Sequence, residues 1–204
     1  MAASSSTASR DRGRPREFDM KTALAKSVRV FRERGYHATS IANLTEAMEL
    51  ASGSVYKAFK DKRAVFLAAF DHEATMRWER LRQIISAARS GRDRIQAALI
   101  FCAESSHGIE GKRGCLIVGT VAELATFDSD IAQRVTAVLH RQEMLLVDLI
   151  REGQADGSIP TTIDSKATAR LMLCLLQGMR VVGKTGRSRG EMTAVADAAM
   201  KLLG

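Results

Sequence analysis

The stretch Thr39–Lys62, TSIANLTEAMELASGSVYKAFKDK, decides how this chain is read. Apolar residues at Ile41, Leu44 and Met48 fall on one face of a helix, and Val55 and Phe59 repeat the spacing after a break at Leu50. The pattern predicts two short helices joined by a tight turn. The six side chains form the small core that locks the pair at a steep angle, as a helix-turn-helix requires. The second helix then leaves Ser52, Ser54, Tyr56, Lys57 and Lys60 facing outward. All five donate hydrogen bonds and two are cationic. That chemistry suits a DNA major groove, with Ser and Lys near base edges and Tyr and Lys on phosphates.

Charge is concentrated in the same region. The chain of 204 residues carries a formal net charge of +8. Residues 1–63 hold 13 Lys and Arg against 7 Asp and Glu, a net +6, so the remaining 141 residues carry only +2. A basic excess centred on the motif is what a phosphate-binding face needs.

Two runs extend the motif into a family pattern. Gly53-Ser54-Val55-Tyr56-Lys57-Ala58-Phe59 is followed by Asp61-Lys62, and Phe31 precedes Gly35-Tyr36 and Thr39-Ser40-Ile41. Over about Phe18 to Phe70 the chain resembles the TetR-type (tetracycline-repressor-like) bacterial transcriptional regulators. The resemblance implies an all-α fold: an N-terminal three-helix head that binds DNA, then a helical body for effector binding and dimerisation. It implies that Thr39, Tyr56 and Lys62 meet phosphates, while Ser52, Ser54 and Lys57 are the candidates for base edges. It also implies a repressor released from its operator when a small molecule in the body tilts the long helix after Lys62. Glu49 stands at a turn position where the family often has Gly. Ala51 stands where a Ser or Thr usually caps the recognition helix, so Ser52 is expected to take over the cap.

The composition, 46% apolar and 5% aromatic with only two prolines, favours helices throughout, and no alternating strand pattern occurs. Residues 1–16 read as a disordered basic arm. Within it Arg12-Gly13-Arg14-Pro15 resembles the core of an AT-hook, with Arg12 and Arg14 for a narrow minor groove; a solvated basic tail is the alternative. The DNA-binding head is assigned to 17–62 and the body to 63–204. Helices are expected over about 18–34, from 62 to the break at Ser90-Gly91-Arg92, and over 93–107, 115–125, 128–154, 164–182 and 191–203. GIEGKRG (108–114) and GKTGRSRG (183–190) read as basic loops. Leu171, Met172, Leu175, Leu176, Met179 and Val182 form a broad apolar stripe that needs a partner. It is buried within the subunit, or it joins the last helix in a homodimer interface through 164–182 and 191–203, as the resemblance implies.

The body offers candidates for regulation. Cys115 follows Lys112, Arg113 and Gly114 at the start of a helix, where cations and the helix N-terminus stabilise a thiolate. It reads either as a redox or electrophile sensor or as a small buried apolar residue. Cys102 and Cys174 read as core. Met76, Trp78, Phe101, Met144 and Met172 are the candidates for an effector pocket, because Met and aromatic side chains line adaptable apolar cavities. None of the four histidines has metal-like spacing, no cofactor is expected, and no catalytic motif is present. With no signal peptide and no run of membrane-spanning length, the chain is expected in the cytoplasm. The alternative from another class is a helical small-molecule-binding protein or enzyme without specific DNA binding.

Overall fold

A computed structural model describes residues 19–204 and is all-α, with ten α-helices and a closing 3-10 turn among the described residues. Arg12, Arg14 and the rest of the 1–16 arm lie outside the described residues. The head consists of α1 (Met20–Arg34), α2 (Ile41–Met48) and α3 (Ser52–Ala58). Asp19 caps α1 by accepting from the Lys21 N–H. Ser40 and Asn43 form a reciprocal capping box at α2. Leu44, Met48 and Val55 are buried, and Ile41, Leu50 and Phe59 pack against them, so all six expected side chains meet.

The turn departs from expectation at its cap. Glu49 is left-handed, with φ 59° and ψ 40°, and its N–H closes α2 on Thr45 and Glu46. A side chain there costs about 1 kcal/mol. The Glu49 carboxylate lies 2.7 Å from Lys26 on α1, an exposed pair that offsets little. Ala51 occupies the N-cap of α3 and gives no side-chain hydrogen bond. Ser52 does not replace it. It is already the first helical residue and its side chain faces solvent.

Asp61 caps α4 (Lys62–Ser86), which runs from the head into the body. The body adds α5 (Gly91–Glu104), α6 (Gly108–Arg113), α7 (Leu116–Glu123), α8 (Ser129–Asp156), α9 (Ser165–Gly183) and α10 (Arg189–Met200). The expected loop at 108–114 is mostly the short helix α6. Its glycines argue against a helix, but packing overrides propensity: at Gly111 the backbone of Ser106 lies where a side chain would start, 2.6 Å away.

Two cores hold the molecule. One joins α5, α8, α9 and α10 around Ile95, Leu99, Ile150, Met172 and Met192. The other starts in the head at Phe31, Leu44 and Val55 and continues through Phe66 and Phe70 to Leu116, Ile117, Ile131 and Val135. Packing therefore runs without a break across the 62/63 boundary.

The apolar stripe on α9 divides. Met172 and Met179 are buried and Leu175 and Leu176 pack partly into the core, so these four belong inside the subunit. Leu171, Cys174, Gly178 and Val181, at 3–4–3 spacing, form a second, exposed stripe beside them. Cys174 is thus exposed and not core, whereas Cys102 is buried as expected. Val195, Ala198 and Leu202 give the last helix an exposed row of its own.

Candidate nucleic-acid interface and effector cavity

The outer face of α3 carries the expected polar set. Ser52 and Lys57 are exposed, Ser54 is half-buried, and Tyr56 is 56% exposed; Lys60 is exposed too but lies past the end of α3, which stops at Ala58. Between the serines, Gly53 has ordinary negative φ, and a side chain built there would meet nothing within 4 Å. Nothing inside the chain requires glycine at that point.

Thr39 and Lys62 sit differently from the expected phosphate ligands. Thr39 is only 2% exposed, and its hydroxyl donates to the Gly35 carbonyl at 2.6 Å. Lys62 donates to the carbonyls of Tyr36 at 3.0 Å and Thr39 at 2.9 Å, with its ammonium 4.3 Å from the Tyr36 ring centroid. Both hold the α1–α2 loop instead of presenting free donors. The family resemblance implies phosphate contacts for both; the packed loop shows that these two side chains are engaged within it.

The head is tied to the body by several charged contacts. Gly35 ends α1 at φ 78° and ψ 175°, a conformation that essentially only glycine adopts. This lets the next N–H, that of Tyr36, donate to Glu123 on α7 at 2.8 Å. Within the body, just past the head, Arg63 on α4 grips Asp128 at the start of α8 through two hydrogen bonds, of 2.8 and 3.0 Å, and reaches Asp130 at 3.1 Å. The Arg63 hydrogen bond and the Ile131 N–H hold the Asp128 carboxyl at about 2. Arg32 on α1 donates to the Gly114 carbonyl at 2.9 Å. The same carbonyl accepts from Arg180 on α9 at 3.2 Å. One backbone oxygen thus joins the head to a wall of the body.

That wall lines a cavity between α4, α5, α8 and α9. Of the five candidate lining residues, Trp78 and Phe101 line it. Met76 and Met144 do not: both are surface residues of their helices, 49% and 40% exposed. Met172 is fully buried in the α5–α8–α9–α10 core and also misses the cavity. The sequence reading passed over three arginines in the lining, Arg77, Arg141 and Arg180. Arg77 lies over the Phe101 ring at 5.3 Å and Arg141 over the Trp78 ring at 4.3 Å.

Cys115 is half-buried at the start of α7 and lines both this cavity and a small hollow against α1. Burial raises its thiol pKa. The charges of Arg180 and Arg77 and the Val118 N–H outweigh burial and hold it below the ordinary cysteine value. The expected cations are not the effective ones, since Arg113 is engaged by Glu33 and Glu110. Burial instead pushes the Cys102 thiol up.

Residues 23–69 match the family described as bacterial regulatory proteins, tetR family, and residues 91–199 match the tetracyclin repressor-like C-terminal domain. The chain belongs to the TetR family. It is similar to the HTH-type transcriptional repressor ComR of Escherichia coli strain K12, with 29% identity over 202 residues, 95% of this chain and 92% of that protein. It is also similar to a cysteine mutant of the TetR-family regulator CifR complexed with a 26-base-pair operator duplex. There the identity is 30% and the TM-score 0.83, covering 94% of this chain and 100% of the other. The reduced form of NemR from E. coli shares the fold at 20% identity, with a TM-score of 0.77 over 90% of this chain and 97% of that one.

The TetR family consists of transcriptional regulators, and the N-terminal match spans α1 to the first part of α4. Among the described residues, no helix is long and apolar enough to cross a membrane.

Proposed function

We propose that the protein is a homodimeric, cytoplasmic transcriptional repressor and not an enzyme. Helix α3 of each subunit enters the major groove of a two-fold symmetric operator, and a small molecule in the α4–α5–α8–α9 cavity releases it. The outer face of α3 carries this reading: Ser52, Ser54, Tyr56 and Lys57 all face outward around a glycine that the chain itself does not need. Ser52, Ser54 and Lys57 meet base edges and Tyr56 meets a phosphate. Thr39 and Lys62 act as positioning residues that set the α1–α2 loop against the DNA backbone. Arg12 and Arg14 of the arm add minor-groove contacts.

Symmetric operators call for symmetric dimers. The exposed stripe of Leu171, Cys174, Gly178 and Val181, with Val195 and Leu202 of the last helix, supplies a self-complementary apolar face. Val181→Glu should turn a dimer into a monomer in light scattering at micromolar concentration and abolish tight operator binding. A dimer that persists would put the interface elsewhere.

The Gly114 carbonyl is the joint between cavity and head, because Arg32 and Arg180 both donate to it. Coupling between two sites is reciprocal, so operator binding must also be felt at the cavity. Hydrogen exchange over residues 114–120 should change on operator binding in the wild type and not in Arg32→Gln. The same change in both proteins would discard this joint.

A second reading places the trigger at the Cys115 thiolate, favoured by its position beside Arg180 and next to Gly114. An electron-poor alkene would take the sulfur lone pair into a new S–C bond as its C=C π bond breaks, and the neighbouring carbon would take a proton from water. Cys115→Ser should then bind the operator normally yet resist release by N-ethylmaleimide. An unchanged response in that variant would remove the thiol from the mechanism.

A further inference from the structure

We infer that the cavity between α4, α5, α8 and α9 takes a small organic acid, with its carboxylate on the guanidinium groups of Arg180 and Arg77 and its apolar part against Trp78 and Phe101. The inference rests on the reading of this cavity as the effector site.

The lining of the cavity includes three arginines and no aspartate or glutamate. None of the three forms an ion pair among the described residues, although Arg32, Arg63, Arg94, Arg113 and Arg134 all do. Arg180 is the most telling. It is 5% exposed, and its hydrogen-bond acceptors are the carbonyls of Ser105 and Gly114 and the hydroxyl of Ser106, all neutral. Its Nε is buried with no partner. A buried cation without a counter-ion costs several kcal/mol, and an unmet buried donor adds to that cost. Both deficits are repaired by one anion.

Arg77 and Arg141 lie over aromatic rings and make no side-chain hydrogen bonds among the described residues. A cation–π contact uses no N–H donor, so these guanidinium groups keep donors for a carboxylate. The rest of the lining is largely apolar, including Leu81, Ala98, Leu145 and Leu176. A bare inorganic anion would leave that surface unused, whereas an acid with a hydrocarbon or aromatic body covers it. Cys115 also lines the cavity, so an acid held by Arg180 lies beside its thiol.

Trp78 is the single tryptophan of the chain and lies in the cavity wall, so its emission reports occupancy directly. The full chain is titrated with phenylacetate, 4-phenylbutyrate and octanoate, and with the primary amide of each. At least one acid should shift Trp78 emission saturably and bind about tenfold or more tightly than its amide, the scale of a hydrogen bond to a charged group. Arg77→Gln, at a half-buried position, should lose that preference; Arg180→Gln, which risks the fold, is not needed. If the amides bind as tightly as the acids, or Arg77→Gln keeps the preference, the acid assignment is wrong while the effector cavity stands. If neither series moves Trp78 emission, the assignment and the effector reading of this cavity fall together.

Discussion

Lys57→Ala should weaken binding to the operator by about tenfold to a hundredfold, the range for losing one specific base-edge contact. Lys57 is exposed in the last turn of α3, beside Tyr56 and one helical turn from Ser54 and Gly53. It touches no other group through a hydrogen bond or ion pair among the described residues, so its removal leaves the fold alone. Anisotropy titrations on the operator and on a shuffled duplex at one salt concentration separate two outcomes. Loss of discrimination places Lys57 at a base edge. Equal weakening on both duplexes, with the salt slope reduced by about 1, makes it a phosphate contact. Gly53→Ala is the companion variant. Alanine is favoured over glycine within a helix by about 1 kcal/mol, and the position has room for a methyl, so stability should rise. Operator affinity should nevertheless fall, because the methyl stands where the DNA approaches.

Gly91→Ala should destabilise the body by about 3 kcal/mol, at the upper end of the ordinary range for overpacking. A side-chain carbon at Gly91 would lie 2.2 Å from the Gly153 nitrogen, and 2.5 Å from both the Gly153 Cα and the Leu149 carbonyl oxygen. These are backbone atoms, so no rotamer change relieves the clash. The first turn of α5 and the last part of α8 must separate, and the Gly91 N–H would strain its 2.8 Å hydrogen bond to Asp156. Gly153 cannot yield by turning, since Ile159 packs 2.5 Å from its own missing side chain. For a chain of this length the loss corresponds to a fall in Tm of roughly 6–12 °C. The comparison must be made at equal protein concentration, because dimerisation adds to apparent stability. A Tm within about 2 °C of wild type would mean that the helices do not cross this closely.

The head was legible because its signals are local. Six apolar positions and a run of outward polar residues lie within 24 residues, and short-range periodicity fixes which side chains share a face. The residues flanking the motif were less so. The family resemblance implies that Thr39 and Lys62 meet phosphates, and only the path of the chain around Gly35 shows their donors turned inward. In the body, rotation of the long helices decides everything and sequence spacing does not report it. Met76 and Trp78 are two residues apart, yet one is at the surface and the other in the cavity wall. The α9 stripe was recognised, but its division into a buried face and an exposed one depends on where α5 and α8 lie. The arginines escaped notice because a lone arginine is a surface residue by default. Their shared meaning appears only when Arg77, Arg141 and Arg180, from three separate helices, converge on one cavity. Cys115 was placed correctly at a helix start, but the cations that act on its thiol come from positions 38 residues earlier and 65 later in the chain.

In the proposed repressor, two copies of α3 read a specific DNA sequence. Fluorescence anisotropy of the purified chain on duplex DNA from just upstream of its own gene, against a shuffled duplex at near-physiological salt, tests it most directly, with random-sequence selection supplying the duplex if that region is not bound. Selective, saturable binding at two subunits, or a multiple of two, per site is expected. Equal, weak binding to every duplex, lost as salt is raised and with no sequence enriched by selection, would reduce the head to a basic surface and contradict it.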